Sequence, residues 1–139
     1  MKRSRLNRKG KSSISKLKSD LDTVFSQYIR RRDAVNDYST CVTCGKQDHW
    51  KKLQCGHYIP RNHMSTRFSE DNCHTQCAGC NVFKGGAMDE YALFIIRTYG
   101  QEHLDKLNQL KHTISKWSEQ DYLDKIDYYK NKLKELDEK

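Results

Sequence analysis

Hydrophobic positions divide the chain into helical ends and an irregular middle. Between about Ser13 and Asp33 the apolar residues recur at steps of three and four, which is the period of an amphipathic helix. These residues are Ile14, Leu17, Leu21, Val24, Phe25, Tyr28 and Ile29. Residues 38–82 are rich in Cys, Gly, Asn, Thr and His and have no sustained helical period. The pattern therefore predicts an N-terminal helix, whose apolar stripe docks on the following domain, and then a loop-rich segment.

Three further helices are predicted after this segment. Residues 88–99 read as a buried helix closed by Gly100, a residue suited to a left-handed cap, and a short helix follows from Gln101 to about Lys111. The last helix is expected to start at Ser118, whose hydroxyl can accept from the amide three residues on. Its apolar residues step by four and three: Tyr122, Ile126, Tyr129, Leu133 and Leu136. Two heptads are too few to specify a coiled coil, so packing within the chain is favoured and a homodimer is the alternative.

The loop-rich segment 38–82 contains two cysteine pairs of the form C-x2-C, which are Cys41/Cys44 and Cys77/Cys80. Four thiolates at this spacing are typical of a structural zinc site built from two knuckles. Only 35% of the 139 residues are hydrophobic, so a metal staple would compensate for a small core. No apolar signal segment precedes the cysteines, which favours a reduced chain and metal over disulfides. Cys55 and Cys73 remain outside the pairs and are expected to be small buried hydrophobic residues. The alternative is that Cys73 replaces one of the zinc ligands.

Between the cysteine pairs, the sequence predicts a short strand near Leu53 to Ile59 and a loop. A helix is expected to begin near Cys80, directly after the second knuckle.

Positive charge is concentrated at the N-terminus. Residues 1–32 hold eleven Lys and Arg against two Asp, a net charge of +9, while the whole chain has +8. Residues 1–13 contain almost nothing to bury and are expected to be disordered without a partner. Such an arm binds nucleic-acid phosphates with little base discrimination, although a merely solvated tail has the same composition. No window approaches the roughly 18 apolar residues of a membrane span, so the expected location is the cytoplasm.

Single basic side chains extend the candidate nucleic-acid surface. Arg30, Arg31 and Arg32 close the first helix and are expected to be exposed. Arg61 and Arg67 flank the loop after His57 and could clamp phosphate, and Lys84 follows the second cysteine pair.

Candidate chemistry centres on His57. A hydrolytic nuclease needs a base for water, a divalent cation for the developing charge and a rigid mount, and imidazole suits the first task. His57 lies on the predicted strand with Pro60 three positions later. The carboxamides of Asn72 and Asn81 cannot act as bases, but each can orient a loop or offer a neutral oxygen to a hard cation.

At this point the chain resembles a known family. The ordered set His57-x2-Pro60, Asn72-x4-Cys77-x2-Cys80-Asn81-x2-Lys84 is similar to the HNH endonucleases, whose ββα-metal fold often carries zinc knuckles. More narrowly, the chain resembles the bacteriophage NinG (Rap) recombination proteins between about Phe25 and Leu107. The matching strings are Cys44-Gly45-Lys46, Gln54-Cys55-Gly56-His57-Tyr58, Arg67-Phe68-x2-Asp71-Asn72, His74-x-Gln76-Cys77-x2-Cys80-Asn81, Gly85-Gly86, Tyr91, Tyr99-Gly100 and Leu104.

The resemblance implies roles residue by residue. His57 matches the general base, Asn72 the asparagine that braces the ββα loop, and Asn81 a position that often binds the catalytic cation, Mg2+ or Mn2+. The structural Zn2+ ligands would be Cys41, Cys44, Cys77 and Cys80. Gly56 departs from the many HNH enzymes that have an aspartate or histidine there, although NinG-like sequences share the glycine. The cation's other ligand is therefore open among His57 itself, His74, Gln54 and Asp71, with His74 favoured.

Together these expectations define an α+β fold with a small zinc-stapled ββα-metal (HNH) core flanked by N-terminal and C-terminal helices. Its parts would be a disordered basic arm (1–13), a helix packing on the core (14–37), the nuclease domain with its following helices (38–112) and a C-terminal helix (113–139). The implied function is a metal-dependent DNA endonuclease that cuts branched or recombining DNA during phage recombination. The alternative is a non-catalytic zinc-knuckle protein that binds DNA as a recombination accessory.

Overall fold

The computed structural model describes residues 2–139, with side chains from residue 13 onward. The chain forms two compact units. One contains the chain up to Tyr28 together with Trp117–Lys139, and the other is Ile29–Lys116.

The first unit pairs two long helices, α1 (Lys2–Arg32) and α5 (Glu119–Asp137). Phe25 of the α1 stripe is buried and meets the ring of Tyr129 edge-on, with centroids 5.0 Å apart. The apolar stripe of α1 therefore packs against α5 at Phe25 and Tyr28, whereas the sequence pattern was interpreted as a stripe that docks on the zinc-containing domain. α1 starts at Lys2 rather than near Ser13. The predicted disordered arm falls on residues 1–13, most of whose side chains lie outside the described residues, and it stays a prediction.

Helix α5 starts where the sequence placed it. Ser118 is the N-cap: its hydroxyl accepts from the amide of Asp121, and the Asp121 carboxylate accepts from the amide of Ser118. This reciprocal pair satisfies amides that the first helical turn leaves without partners. The predicted apolar seam is buried along Tyr122, Ile126 and Tyr129.

The second unit contains two antiparallel hairpins. β1 (Tyr38–Thr40) pairs with β2 (Gln47–His49), and β3 (Gln54–His57) pairs with β4 (Cys73–Gln76). Strand β3 confirms the prediction of a strand near Leu53 to Ile59. Strand β4 was not predicted, because all four of its residues are buried and the sequence shows no alternation of apolar and polar side chains there.

Helices follow the second hairpin. α3 (Met88–Tyr99) and α4 (Gln101–Leu110) confirm the predicted helices, and α2 (Met64–Arg67) is a short turn in the β3–β4 connection. Gly100 ends α3 with φ +99° and ψ 163°, a region that essentially only glycine adopts but that is not the left-handed helical cap expected.

The helix expected near Cys80 is instead a five-residue π-helical turn, Gly79–Phe83, and α3 begins only at Met88. Gly86 and Ala87 both adopt positive φ between the two elements and so prevent one continuous helix.

The core of this unit lies under the β3–β4 hairpin. Tyr91 and Ile95 of α3 are fully buried with Ile59, Leu104 and Leu107. Tyr91 also donates a hydrogen bond to the carbonyl of Gly56 at 2.7 Å, which ties α3 to β3. Among the helices that the structure describes, none is long and apolar enough to cross a bilayer.

Candidate metal centre and active site

The four paired cysteines come together at the base of the two hairpins. Cys41 follows β1, Cys77 follows β4, and Cys44 and Cys80 lie in the turns that come next. Their sulfur atoms all lie within 4.8 Å of one another, and Cys44 Sγ is 3.6 Å from Cys77 Sγ. A tetrahedral site with Zn–S bonds of about 2.3 Å has sulfur atoms about 3.8 Å apart. The tetrad can therefore hold a structural metal such as zinc.

The surroundings of the tetrad favour a bound cation. Burial raises the pKa of the Cys41 thiol, but hydrogen bonds from the Thr43 hydroxyl and nearby backbone amides outweigh burial and lower that pKa to about 6. The Thr43 hydroxyl also lowers the pKa of Cys80, yet burial and the three neighbouring thiols raise it to about 12. Four thiols so close together cannot all ionise alone. A divalent cation removes this conflict by neutralising the thiolates.

His57 stands at the end of β3 and is half-buried. Its Nε2 lies 2.9 Å from the carbonyl oxygen of Arg67. Because a carbonyl can only accept, Nε2 carries the proton, and in the neutral ring the lone pair is on Nδ1. The hydrogen bond therefore orients His57 with Nδ1 as its basic atom.

Asn72 braces the loop that supplies the Arg67 carbonyl. Its side chain is fully buried and makes three hydrogen bonds across the loop. Oδ1 accepts from the amide of Ile59 at 2.8 Å, and Nδ2 donates to the carbonyls of Ile59 at 3.0 Å and Thr66 at 3.2 Å. The Asn72 carboxamide thus ties Ile59 to Thr66, the neighbour of Arg67 in the loop.

Residues of the β3–β4 hairpin alternate between two faces. Cys55, His57 and Cys73 share one face, and their donor atoms lie within 4.8 Å of one another. Gly56, His74 and Gln76 belong to the other face, towards α3. Sequence reasoning treated Cys55 and Cys73 as isolated buried residues. The signal it could have used was the spacing Cys55-x-His57, which places both side chains on one face of a strand.

His74 is held by two tyrosines. The hydroxyl of Tyr91 donates to Gly56 O, so it accepts from His74 Nδ1 at 3.0 Å, and His74 Nε2 accepts from the hydroxyl of Tyr99 at 2.8 Å. Burial, followed by the charges of Arg32 and His103, lowers the pKa of His74 to about 3. Both ring nitrogens are engaged on the face opposite to His57. This corrects the prediction that His74 binds the catalytic cation beside His57.

Gln76 explains the glycine at position 56. A Cβ on Gly56 would lie 1.9 Å from Gln76 Oε1, so the Gln76 carboxamide occupies the space of a side chain there. Nε2 of Gln76 donates to Thr43 Oγ1 at 3.1 Å and to Gly86 O at 2.8 Å. The Gln76 carboxamide therefore fills the space beside Gly56 and links β4 to the first knuckle and to the turn before α3.

Asn81 lies beside Gln54. Its Nδ2 donates to Gln54 Oε1 at 2.8 Å, so the atom that a hard cation could use is Asn81 Oδ1. By alternation along β3, Gln54 belongs to the face opposite to His57. Asp71, another candidate ligand, is exposed with its carboxylate 3.7 Å from His103. The structure thus groups Asn81 with Gln54 and places Asp71 beside α4.

The three arginines at the end of α1 are half-buried, not exposed as predicted. Arg30 donates to the carbonyls of Trp50 and Leu53, each at 3.4 Å. Arg32 donates to the carbonyls of Glu70 and Cys73, each at 3.1 Å. These two guanidinium groups therefore stabilise the fold of the second unit.

Three cationic side chains surround the ring of Trp50, a cluster that was not predicted from the sequence. The cationic groups of Arg30, Arg31 and Lys51 lie 5.2, 5.3 and 5.8 Å from its ring centroid. An aromatic ring surrounded by cations is a combination that nucleic-acid-binding surfaces use.

The remaining predicted phosphate contacts differ in their surroundings. Arg67 donates to the carbonyl of Arg61 at 3.1 Å and lies over the ring of Phe68. Arg61 and Lys84 are exposed.

Comparisons with known proteins point to one group. Residues 1–139 match the family described as Bacteriophage Lambda NinG protein. Protein ninG of Escherichia phage 933W and that of Escherichia phage lambda are each 31% identical over 110 residues, which cover 78% of this chain and 52% of theirs. Protein ninG of Enterobacteria phage H19B is 30% identical over 92 residues, covering 66% of this chain and 43% of its own.

The chain thus spans about half the length of the curated relatives it matches. No solved structure matches it. The family match and the shared identity show that this chain belongs to the bacteriophage NinG family.

Proposed function

We propose that this chain is a metal-dependent DNA endonuclease of the HNH type, in which His57 is the general base. The hydrogen bond from His57 Nε2 to the Arg67 carbonyl carries the proposal, because it leaves Nδ1 as the basic atom of an oriented imidazole. A histidine that only packed in a core would not need a buried asparagine to brace the loop that supplies this carbonyl.

In this proposal the cysteine tetrad holds the two hairpins in a fixed position. Cys77 and Cys80 follow β4 directly, and Cys41 follows β1, so a Zn2+ ion on the four sulfurs would fix both hairpins at their ends. In this proposal Zn2+ is structural, and chemistry belongs to the β3–β4 hairpin and its loop.

His57 would take a proton from water at Nδ1, and the hydroxide would attack a phosphodiester phosphorus. The P–O bond on the opposite side would break, and the deoxyribose oxygen that leaves would take a proton from solvent. A Mg2+ or Mn2+ ion, when bound, would stabilise charge on the phosphate oxygens. The resemblance assigns Asn81 to this ion, but Asn81 contacts Gln54, which faces away from His57, so we do not count Asn81 among the ligands of an ion that acts with His57. Since Gly56 has no ligand atom and both nitrogens of His74 are engaged, few protein ligands remain, which suits Mg2+ because it keeps much of its water.

DNA is the proposed substrate. The cations around Trp50 and the exposed side chains of Arg61 and Lys84 would hold its backbone. The resemblance to phage recombination proteins favours branched or junction DNA in the cytoplasm of the host cell. A four-way junction has two-fold symmetry that a homodimer would match.

The test is cleavage of a fluorescent four-way junction by the purified full chain with Mg2+ or Mn2+. His57→Ala should lower the cleavage rate by about 100-fold or more, the usual contribution of a general base, while zinc content and junction binding persist. His112→Ala, which changes an exposed histidine, is the matched control and should cleave as the wild type does. Unchanged cleavage by His57→Ala would exclude His57 as the base.

The second candidate is a non-catalytic, zinc-stapled DNA-binding accessory protein. The observation that favours it is the Gln76 carboxamide in the space where many HNH enzymes have a metal-binding side chain. On this alternative the wild type binds the junction tightly but leaves it intact with either cation, and His57→Ala binds equally well.

A further inference from the structure

A second set of metal-ligand atoms lies on the face of the β3–β4 hairpin that points away from α3. Cys55, His57 and Cys73 bring two sulfurs and a ring nitrogen within 4.8 Å of one another. The pairing of β3 with β4 accounts for this, because His57 is opposite Cys73 and Cys55 is two residues before His57 on the same face. The grouping uses none of the four knuckle cysteines.

The chemistry of the three side chains selects a class of metal. Two thiolates and one imidazole suit borderline and soft ions such as Zn2+, and they suit Mg2+ poorly. Two Cys and one His are also a known zinc set that leaves the fourth position open. The carbonyl oxygen of Arg67 lies 2.9 Å from His57 Nε2 and 3.6 Å from Cys73 Sγ, so an oxygen atom lies close to the open fourth position.

We propose that Cys55, His57 and Cys73 form a second site for Zn2+, and that metal bound there removes the base His57. The first half of the proposal is independent of any activity, and the second half rests on the proposed nuclease function. Zn2+ above the amount that fills the knuckle tetrad then inhibits the protein.

The inhibition follows from the two nitrogens of the imidazole. A metal on Nδ1 uses the lone pair that would accept a proton from water. A metal on Nε2 displaces the proton that now bonds to the Arg67 carbonyl, and the neutral ring then carries its proton on Nδ1. In either case Nδ1 cannot act as a base, so zinc binding and general-base catalysis exclude each other.

Without metal the site is a pair of thiols beside the histidine. Burial and the Cys55 thiol raise the pKa of Cys73 well above its ordinary value, with Arg32 partly offsetting them. Binding of Zn2+ therefore expels thiol protons to solvent, and two thiolates neutralise the dication. Because the tetrad offers four thiolates and this site offers two thiolates, one imidazole and an open position, the site fills after the tetrad.

Cobalt spectroscopy tests the site itself. The full chain, loaded with one equivalent of zinc and kept reduced, is titrated with Co2+ and followed by the thiolate-to-cobalt charge-transfer band. The wild type should take up one further equivalent. Cys55→Ser and His57→Ala should each abolish that uptake and keep the one bound zinc, and His112→Ala should behave as the wild type. Cys55 is half-buried, so its replacement by serine is less disruptive than replacement of the fully buried Cys73.

The outcomes separate the proposals. No uptake of Co2+ by the wild type, or equal uptake by Cys55→Ser, overturns the second site even if the protein cleaves DNA. If uptake is seen and the wild type cleaves, a second equivalent of Zn2+ should lower its cleavage by about 100-fold or more, as loss of a general base does. Cys55→Ser, normalised to its own rate without added zinc, should lose that sensitivity. Zinc-insensitive cleavage by a wild type that carries the second metal overturns the competition with His57.

Discussion

At the scale of single residues, Gly56 and Gln76 share one space across the β3–β4 hairpin. The Gln76 carboxamide lies where a side chain at position 56 would begin, and its amide bonds Thr43 and Gly86. A glycine at this point of an HNH-like motif is therefore a packing requirement, independent of whether the chain cuts DNA.

Gly56→Ala should destabilise the fold by about 1–3 kcal/mol, the usual cost of overpacking, because the new methyl group would displace Gln76. Gln76→Ala opens this space, so adding Gly56→Ala to it should cost much less. Urea unfolding at constant zinc of the two single variants and the double variant measures the coupling. Strictly additive free energies would show that the two side chains do not compete.

The hydroxyl of Tyr91 in α3 bonds to two residues of the β3–β4 hairpin, Gly56 and His74. Tyr91→Phe leaves the buried Gly56 carbonyl without its donor and His74 Nδ1 without its acceptor, so we expect a loss of about 1–3 kcal/mol in unfolding free energy. Tyr99→Phe is the control: Tyr99 is 42% exposed, so water can replace its hydroxyl and the loss should be smaller. Equal losses in chemical denaturation would argue against the buried network.

The low pKa of His74 links stability to pH. The native pKa is about 3, and the unfolded value is about 6.5. Above pH 6.5 His74 is neutral in both the native and the unfolded state, and its contribution to the unfolding free energy is constant. As the pH falls from 6.5 towards 3, His74 becomes protonated in the unfolded state but stays neutral in the native state. The unfolding free energy should then fall by about 1.4 kcal/mol per pH unit from this group alone. His74→Gln should show a shallower dependence between pH 6 and pH 4, and identical slopes would contradict a buried neutral His74.

The residue scale also shows what the sequence could and could not provide. The four knuckle cysteines follow from their spacing, and the structure brings their sulfur atoms together. The role of Asn72 was implied only by the resemblance, and the structure adds that its carboxamide bonds Ile59 and Thr66. His74 was assigned to the cation because it falls inside a matched string. Adjacent residues of a strand face opposite ways, so recognising β4 would have separated His74 from Cys73 and His57. No sequence rule would have named Gln76 as the partner of Gly56, because that contact depends on strand register.

At the scale of elements, local signals specified the helices better than the strands. α3 and α4 match their predicted spans, and α5 begins at its predicted cap, because a 3.6-residue period and a capping residue are read within one segment. The π-helical turn Gly79–Phe83 replaces a predicted helix because positive φ at Gly86 and Ala87 interrupts the path to α3. The partner of the α1 stripe could not be read from α1, since an amphipathic stripe does not identify what covers it.

The pairing of α1 with α5 depends on Tyr129. This ring is 1% exposed, contacts Phe25 edge-on and lies 5.3 Å from the ring of Tyr28. Tyr129→Ala should cost about 3–5 kcal/mol, typical of a large buried aromatic side chain. Amide hydrogen exchange along α5 should accelerate accordingly. The neighbouring Tyr128 is 46% exposed, so Tyr128→Ala should change exchange little, and equal acceleration by both variants would refute this packing.

At the scale of the whole molecule, the second unit has a small hydrophobic core and a cluster of four cysteine side chains. One group of buried hydrophobic residues includes Tyr91. A smaller group contains three of the tetrad cysteines, Cys41, Cys77 and Cys80, together with Leu53 and Ala87. Without metal the sulfur atoms would lose the bonds that hold the two knuckles together, so the stability of this unit should depend on the bound ion.

Cys44 gives a clean test of that dependence. Its side chain is exposed, so Cys44→Ser removes one metal ligand without leaving a cavity. We expect Cys44→Ser, like wild type treated with a strong chelator, to lose bound zinc and to unfold residues 29–116 at a much lower temperature. Cys55→Ser is the matched control, because it makes the same chemical change outside the tetrad and should keep one zinc and a near wild-type melting temperature. Elemental analysis and calorimetry of the variants measure both quantities. A Cys44→Ser protein that melts like the wild type would show that the tetrad does not hold the fold together.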